Sequence, residues 1–233
     1  MNVSITHKIT DVAAMLALAG SLTATGTISA TAATPACGTH CISIFSKELG
    51  NYKQPGVVEA VFDGPAAVGQ VVILKQGSSL DTWEDLVPTG GHVVSDFYKS
   101  GMVSAEVNAR YGSLKAAQIE YAPEGKPTGL CVGLSKTAYE NEGLTLQPCS
   151  VPVLTVWIID TADSPTTAGA GYFPIVNAST TDLTRPYAMS LSQTEIANHE
   201  TLRIYVAQLQ FQGADKTPTD QQLWGAHFGV LTP

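Results

Sequence analysis

The residues that could carry catalysis are the histidines, serines and carboxylates, and their spacing matches no familiar catalytic arrangement. The chain has no His-Glu-x-x-His sequence for a zinc protease, no Gly-x-Ser-x-Gly elbow and no glycine-rich loop to cradle phosphates. The polar cluster Asn198-His199-Glu200 is interpreted as a solvated loop. Two carboxylates could act as acid and base without leaving a sequence signature. We nevertheless expect a protein that is not an enzyme and needs no cofactor.

The four cysteines could bind a metal or form disulfides. Cys37, His40 and Cys41 are close enough to suggest zinc, but adjacent His40 and Cys41 rarely point at one ion, and no second ligand pair follows. An even number of cysteines in an exported chain is typical of disulfides. Three pairings are possible, and we favour Cys37–Cys41 and Cys131–Cys149 because each closes a short loop. No metal site is predicted.

The first 32 residues have the features of a secretory signal peptide. Lys8 charges the polar start, residues 12–20 are apolar, and Ala30-Thr31-Ala32 supplies an Ala-x-Ala cleavage signal. This apolar stretch is shorter than the ~20 residues that a membrane-spanning helix needs. We therefore predict a signal peptide over residues 1–32, a single mature domain over residues 33–233, and a secreted, extracellular location.

Charge and composition argue against two classes of partner and favour short strands. The 233 residues include 20 acidic and 12 basic side chains, which gives a net charge of −8. A chain so poor in Lys and Arg is not expected to bind nucleic acid or an anionic membrane surface. The 21 glycines and 13 prolines indicate short strands joined by turns.

Three segments of the mature chain follow a similar plan. We call residues 41–95 unit one, residues 117–160 unit two and residues 171–231 unit three. Each contains three short apolar strands and then reaches a tryptophan, and the tryptophans recur at intervals of 74 and 67 residues, as Trp83, Trp157 and Trp224. Short strands that alternate poorly are expected where they pack on a shared core. A β-sandwich with tryptophans placed by chance is the alternative.

Two stretches interrupt this plan. Residues 94–101 and 103–110 could form one or two helical turns, the first capped by Ser95, so that residues 96–112 form a short helical insertion between units one and two. The polar stretch from Glu195 marks residues 195–212 as a second insertion, inside unit three. Either insertion could project from the domain.

Unit two carries a pattern of cysteines and a closing tryptophan. It reads Gly129-Leu-Cys-Val132, then Gly143-Leu-Thr-Leu-Gln-Pro-Cys149, then Val156-Trp157. This pattern resembles one repeat of a ricin-type β-trefoil lectin, in which an early Leu-Cys pairs with a later Cys and Gln-x-Trp closes the repeat. Unit three ends with that motif, Gln222-Leu223-Trp224. Residues 36–231 also resemble small exported actinobacterial proteins of unassigned activity. The resemblance implies an all-β, β-trefoil-like fold of three pseudo-repeats.

The resemblance also implies a sugar site, of which this sequence keeps only parts. In the family, an Asp after the Leu-Cys strand accepts sugar hydroxyls and an aromatic side chain covers the apolar face of the ring. Gly133 stands at the Asp position of unit two, Ser190 lies near it in unit three, and Thr155 replaces the Gln of Gln-x-Trp. The candidate ligand-binding residues are therefore Asp63 and Trp83 in unit one, Tyr139, Glu140 and Asn141 in unit two, and Gln222 in unit three. Core packing of the tryptophans and a structural hydrogen bond from Gln222 are the alternatives.

These observations lead to three hypotheses about function. The first is a secreted, non-catalytic carbohydrate-binding domain of the ricin-lectin type with a degenerate sugar site, whose partner is a glycan. The second is a protein-binding or inhibitor β-trefoil that contacts another extracellular protein through the 96–112 or 195–212 insertion, which would then expose apolar side chains. The third is a secreted structural protein without a small ligand.

Overall fold

β-Strands form most of the secondary structure of the described residues, as the short apolar segments of the sequence predict. The structure is a computed structural model that describes residues 42–49, 56–60, 66–76, 86–163, 165–192 and 201–228. The strands before residue 160 are β1 (Ile42–Ser46), β2 (Gly56–Ala60), β3 (Val72–Gln76), β4 (Leu86–Val93), β5 (Lys115–Tyr121), β6 (Leu130–Gly133), β7 (Glu142–Gly143), β8 (Thr145–Pro148) and β9 (Val156–Ile159). The later strands are β10 (Ile175–Asn177), β11 (Tyr187–Leu191), β12 (Thr201–Gln208), β13 (Phe211–Gln212), β14 (Thr217–Pro218) and β15 (Trp224–Phe228).

The helices of the described residues are few and short. They are α1 (Val94–Lys99), α2 (Ala105–Tyr111), α3 (Pro152–Thr155) and α4 (Pro165–Gly169), with single 3₁₀ turns at Pro123–Gly125 and Asp220–Gln222. Helices α1 and α2 fall in the predicted helical insertion. The predicted cap is wrong, because α1 begins at Val94 and Ser95 lies inside it. Ser104 caps α2 instead, since its Oγ accepts a hydrogen bond from Val107 N at 3.2 Å.

Six strands form a nearly closed barrel. β1 pairs antiparallel with β15, and the bridge between Phe173 and Trp224 joins β15 to the segment that enters β10. β10 pairs with β9, β9 with β5 and β5 with β4, and β4 lies beside β1. Because such a ring leaves few strand edges unpaired, it limits edge-to-edge aggregation.

Three hairpins complete the fold. They are formed by β2 with β3, by β6 with β8 and by β11 with β12. The hairpins also contact one another: β3 pairs with β12, Val71 bridges Thr145, and Leu144 N donates a hydrogen bond to Ile204 O at 2.9 Å. Each hairpin is joined to the barrel by its own unit's first strand, through the pairs β1–β2, β5–β6 and β10–β11. The same pairing order therefore occurs three times along the chain.

The main core fills the space between barrel and hairpins. Its largest fully buried side chains come from all three units and include Ile44, Leu74, Leu146, Trp157, Met189 and Trp224. Burying each such side chain contributes about 1.5–3 kcal/mol. The β1–β15 pair also requires a glycine, because a Cβ at Gly225 would overlap the ring of its register partner Phe45.

The helical insertion is packed onto the outside of the barrel. Its buried side chains include Phe97, Val107 and Tyr111, and they join a second apolar cluster with Ile158 and Val176 of the sheet. The 96–112 insertion therefore does not project from the domain. Its exposed large side chain is Tyr98.

One disulfide staples unit two. Cys131 of β6 and Cys149, just after β8, are bonded with a Cα–Cα distance of 4.9 Å, which confirms the predicted pairing. Cys37, Cys41 and the predicted signal peptide lie outside the described residues. Among the residues that the structure does describe, no helix is long and apolar enough to cross a bilayer.

Candidate functional site

The two described tryptophans hold the core together. Trp157 of β9 and Trp224 of β15 are both buried. The indole Nε1 of Trp157 donates a hydrogen bond to Val132 O at 2.8 Å, and that of Trp224 donates to Met189 O at 2.9 Å. Each indole thus ties the last barrel strand of its unit to the second strand of the same unit. Neither ring is available as a platform for a ligand, and Trp83 lies outside the described residues.

The residue two positions before each tryptophan is also structural. Gln222 is only 2% exposed; its Oε1 accepts from Gln210 N at 2.7 Å and its Nε2 donates to Gln208 O at 3.1 Å. In unit two the same position is the buried Thr155, whose side chain is too short to make the two hydrogen bonds of Gln222. The side-chain amide comes instead from Gln118 of β5, whose Nε2 donates to Thr155 Oγ1 at 2.7 Å. As placed, Gln222 is not accessible to a ligand.

The position at which the lectin family carries its Asp is closed in unit two. A Cβ on Gly133 would lie 2.8 Å from Thr155 Cγ2 and 3.0 Å from Leu154 O, so a larger residue would displace the end of α3. Ser190, the related position in unit three, is buried in β11. Asp63 lies outside the described residues. Neither described position therefore offers a sugar-binding carboxylate.

The loop that carries Tyr139 and Asn141 is anchored by a buried carboxylate. Glu142 is 3% exposed, and its Oε1 accepts hydrogen bonds from Ser135 N at 3.0 Å, Ser135 Oγ at 2.7 Å and Lys136 N at 3.2 Å. These three hydrogen bonds to one carboxylate oxygen fix the backbone and side chain of Ser135 and the backbone of Lys136 relative to Glu142. Residues 134–141, which we call the Tyr139 loop, are therefore held in one shape by the residue that follows them.

Three consecutive side chains of this loop face solvent. Tyr139 is 43% exposed, and Glu140 and Asn141 are exposed beside it. Glu140 Oε2 accepts from Gln208 N at 3.0 Å, and its other oxygen makes no hydrogen bond with the described residues. Asn141 has φ of 61°, a left-handed conformation that Asn tolerates better than most residues. The loop thus presents an aromatic ring, a carboxylate oxygen and a carboxamide in sequence.

The sequence pattern did not predict that Lys136 and Glu142 take part in this site. Lys136 Nζ lies 4.2 Å from the centroid of the Tyr139 ring, so an ammonium covers one face of the aromatic side chain. Glu142 anchors the loop, yet in the sequence it is one carboxylate among several in Tyr139-Glu-Asn-Glu142. Glu142 is buried because it pairs with Val206 of β12, a contact between distant segments that the sequence does not indicate.

A second polar cluster surrounds the residue that follows β9. Asp160 is fully buried; its Oδ1 accepts from Ala162 N at 3.0 Å and Asp163 N at 3.1 Å, and its Oδ2 has no partner. Burial raises the pKa of Asp160 to about 6. Burial likewise raises the pKa of Tyr111 to about 12. Arg110 pairs with Asp163 at 2.8 Å, which leaves Asp160 without a direct cationic partner among the described residues.

Comparison with known proteins adds little to this geometry. No protein-family model matches the chain, and no curated protein matches it. Among solved structures, the chain is similar to the crystal structure of a designed 3-fold symmetric protein, ThreeFoil. The alignment covers 79% of this chain and 96% of that chain, with 11% identity and a TM-score of 0.46. A likeness at that TM-score carries no conclusion about fold or function.

Proposed function

We propose that this chain is a secreted, non-catalytic β-trefoil domain that binds carbohydrate. The repeated strand pairing supports the fold: each unit contributes two barrel strands and one hairpin, in the order barrel, hairpin, hairpin, barrel. On this proposal the pseudo-repeats are units one to three, inside a mature domain of residues 33–233. The disulfide between Cys131 and Cys149 supports export, because disulfides persist in oxidising compartments.

The observation that carries the carbohydrate proposal is the exposed ring of Tyr139 beside the polar side chains of Glu140 and Asn141. A sugar ring has an apolar face that an aromatic side chain covers, and hydroxyls that a carboxylate and a carboxamide bond at its edge. Lys136 covers one face of Tyr139, so a sugar would stack on the other face. The site lies on the Tyr139 loop, and the family's usual Asp position at Gly133 takes no part in it.

The test is binding of the purified, oxidised protein to a glycan array and to insoluble polysaccharides. Tyr139→Ala is expected to weaken binding roughly tenfold, by analogy with nucleobases, which contribute about 1–3 kcal/mol when stacked on an aromatic side chain. Tyr98→Ala is the matched control, because Tyr98 is 42% exposed but belongs to α1. If glycan binding is unchanged in Tyr139→Ala, the binding site lies elsewhere on the domain. No glycan binding by folded protein would refute the proposal.

A second candidate function is protein binding through the hairpin of β13 and β14. This hairpin forms a two-stranded sheet separate from the main one, and Phe211 at its start is 39% exposed. Phe211 lies near the end of the predicted 195–212 insertion. That prediction is wrong for residues 201–208, because they form β12 and pair with β11 and β3 in the main sheet; residues 195–200 lie outside the described residues. Phe211→Ser would reduce capture of an extracellular protein partner and leave glycan-array binding unchanged if this hairpin were the contact surface.

A further inference from the structure

A cleft of about 370 Å³ lies between four segments that are distant in the sequence. Its walls come from the start of α2, from the Tyr139 loop, from α3 and from the loop between β10 and β11. The volume is within the range of small-molecule sites. At ~30 Å³ for each water, it has the volume of about a dozen waters, which is room enough for one hexose.

The walls of the cleft are tied to each other by buried hydrogen bonds. Ser179 Oγ accepts from Ala138 N at 2.8 Å and donates to Asn177 Oδ1 at 2.6 Å. Asn177 Nδ2 in turn donates to Leu154 O of α3 at 3.1 Å. Three of the four segments are therefore joined through two side chains, so the cleft is formed before any ligand arrives. A preformed site avoids the cost of ordering its walls on binding.

The groups left free in the cleft define the ligand chemistry. Thr137 and Thr181 are exposed, and their hydroxyls make no hydrogen bond with the described residues. Glu106 adds a carboxylate whose pKa is lowered by its own backbone N–H and by the Ser104 hydroxyl. Val153 and Leu183 supply apolar contact. No Lys, Arg, His or aromatic residue is among the described residues that line the cleft.

We propose that this cleft binds a small polyhydroxylated amine of monosaccharide size, such as an amino sugar. The ammonium lies against Glu106, and the hydroxyls bond Thr137 and Thr181. A neutral sugar of the same size binds more weakly because it lacks the charge, and an anionic sugar is repelled by Glu106 in a cleft without a cation. This site is distinct from the ring of Tyr139 and does not depend on glycan stacking there.

Titration of the isotope-labelled, oxidised protein with glucosamine, glucose and glucuronate, followed by NMR, tests the proposal. Glucosamine is expected to give saturable shifts at Ser104–Val107 and Ala178–Leu183, with glucose about threefold to fivefold weaker, as for loss of an exposed ion pair, and glucuronate weaker still. Glu106→Gln should reduce glucosamine affinity to that of glucose and leave glucose affinity within about twofold. Glu48→Gln, an exposed glutamate in the turn after β1, is the matched control and should change neither.

The outcomes separate this proposal from the one for Tyr139. A fall of glucosamine affinity in Glu106→Gln by about threefold to fivefold, to that of glucose, supports the cleft whatever the glycan array shows. Leu183→Trp, checked for folding by near-UV circular dichroism, should fill the cleft and abolish binding of both sugars. No saturable glucosamine shifts up to about 50 mM, or equal glucosamine affinity in Glu106→Gln and the parent protein, overturns the cleft proposal and leaves the Tyr139 loop untouched.

Discussion

Units two and three build the same corner of the fold with different chemistry. In both, a buried indole donates to the second strand of its unit, at Val132 O in unit two and Met189 O in unit three. Val132 of β6 and Met189 of β11 therefore hold equivalent positions in their hairpins. One residue earlier in each strand, Cys131 is equivalent to Ala188, and on the partner strands the same register makes Cys149 equivalent to Leu209. Unit two joins the two positions by a disulfide, whereas unit three buries apolar side chains there. The two units therefore share the strand pairing and the hydrogen bond from the indole, but they hold the two strands of the hairpin together differently, by a disulfide in unit two and by apolar packing in unit three.

The largest expected effect is the loss of the disulfide. Replacing both Cys131 and Cys149 by Ala should lower the free energy of unfolding by about 3 kcal/mol, because the unfolded chain regains the freedom of an 18-residue loop. Thermal unfolding by calorimetry gives the change. Hydrogen exchange then shows where it acts, with amides of β6 and β8 losing protection before those of β11 and β12.

The matched change in unit three sharpens this prediction. Leu209→Ala removes the apolar side chain at the position that corresponds to Cys149, and it should cost about 2–3 kcal/mol through the cavity it leaves. Equal loss of protection in both hairpins after the cysteine replacements would show that the disulfide stabilises the whole domain rather than unit two.

A smaller loss of stability is expected when either of the two supporting glutamines is replaced, Gln222 in unit three or Gln118 in unit two. Gln222→Leu should cost about 2 kcal/mol, because Gln210 N and Gln208 O lose their partners in a buried setting. Gln118→Leu should cost about 1 kcal/mol. Cys149 O loses the donor Gln118 Nε2 at 2.6 Å, but both residues are half-buried and open to water, and Thr155 Oγ1 still donates to Val151 O at 2.9 Å. Urea unfolding with unchanged m-values measures both. Equal costs would mean that Gln118 and Gln222 are equivalent supports.

How much of this arrangement the sequence predicts depends on whether a contact is local. The Cys131–Cys149 pairing and the short apolar strands that precede Trp157 and Trp224 were predicted, because each depends on residues near in sequence. The role of Gln118 was not, because it substitutes for Gln222 from a different strand and only the β5–β9 pairing brings it to Thr155. The burial of Glu142 and the cleft wall at Glu106 likewise depend on contacts between distant segments. Asp63, Trp83, Cys37 and Cys41 lie outside the described residues, so the predictions about them stand as predictions.

The smallest expected effect concerns Asp160, three residues after Trp157. Its pKa of about 6 in the folded protein lies above the ordinary value of 3.8, because burial penalises the charged carboxylate. The folded state therefore holds this proton more tightly than the unfolded state does. The contribution of Asp160 to stability is fully present below about pH 4 and is lost as the pH rises through about 6.

Asp160→Asn should therefore raise the free energy of unfolding at pH 8 by about 1 kcal/mol. The pKa difference alone corresponds to at most ~3 kcal/mol, and part of that gain is lost because the new amide N–H groups meet no acceptor at the site of the unpaired Oδ2. The bonds from Ala162 N and Asp163 N to Oδ1 are retained in the variant.

Chemical unfolding of the parent protein and of Asp160→Asn at pH values between 4 and 8 provides the measurement. The quantity to compare is the difference between their free energies of unfolding at each pH. The exposed carboxylates Asp96 and Asp182 have pKa values lowered from the ordinary 3.8, so the stability that they contribute is lost as the pH falls through that range, and it is lost equally in both proteins. The difference should thus shrink from pH 8 towards pH 4. A difference that stays constant over this range would show that Asp160 is ionised in the folded protein throughout, with the Arg110–Asp163 pair or solvent offsetting the cost of its burial.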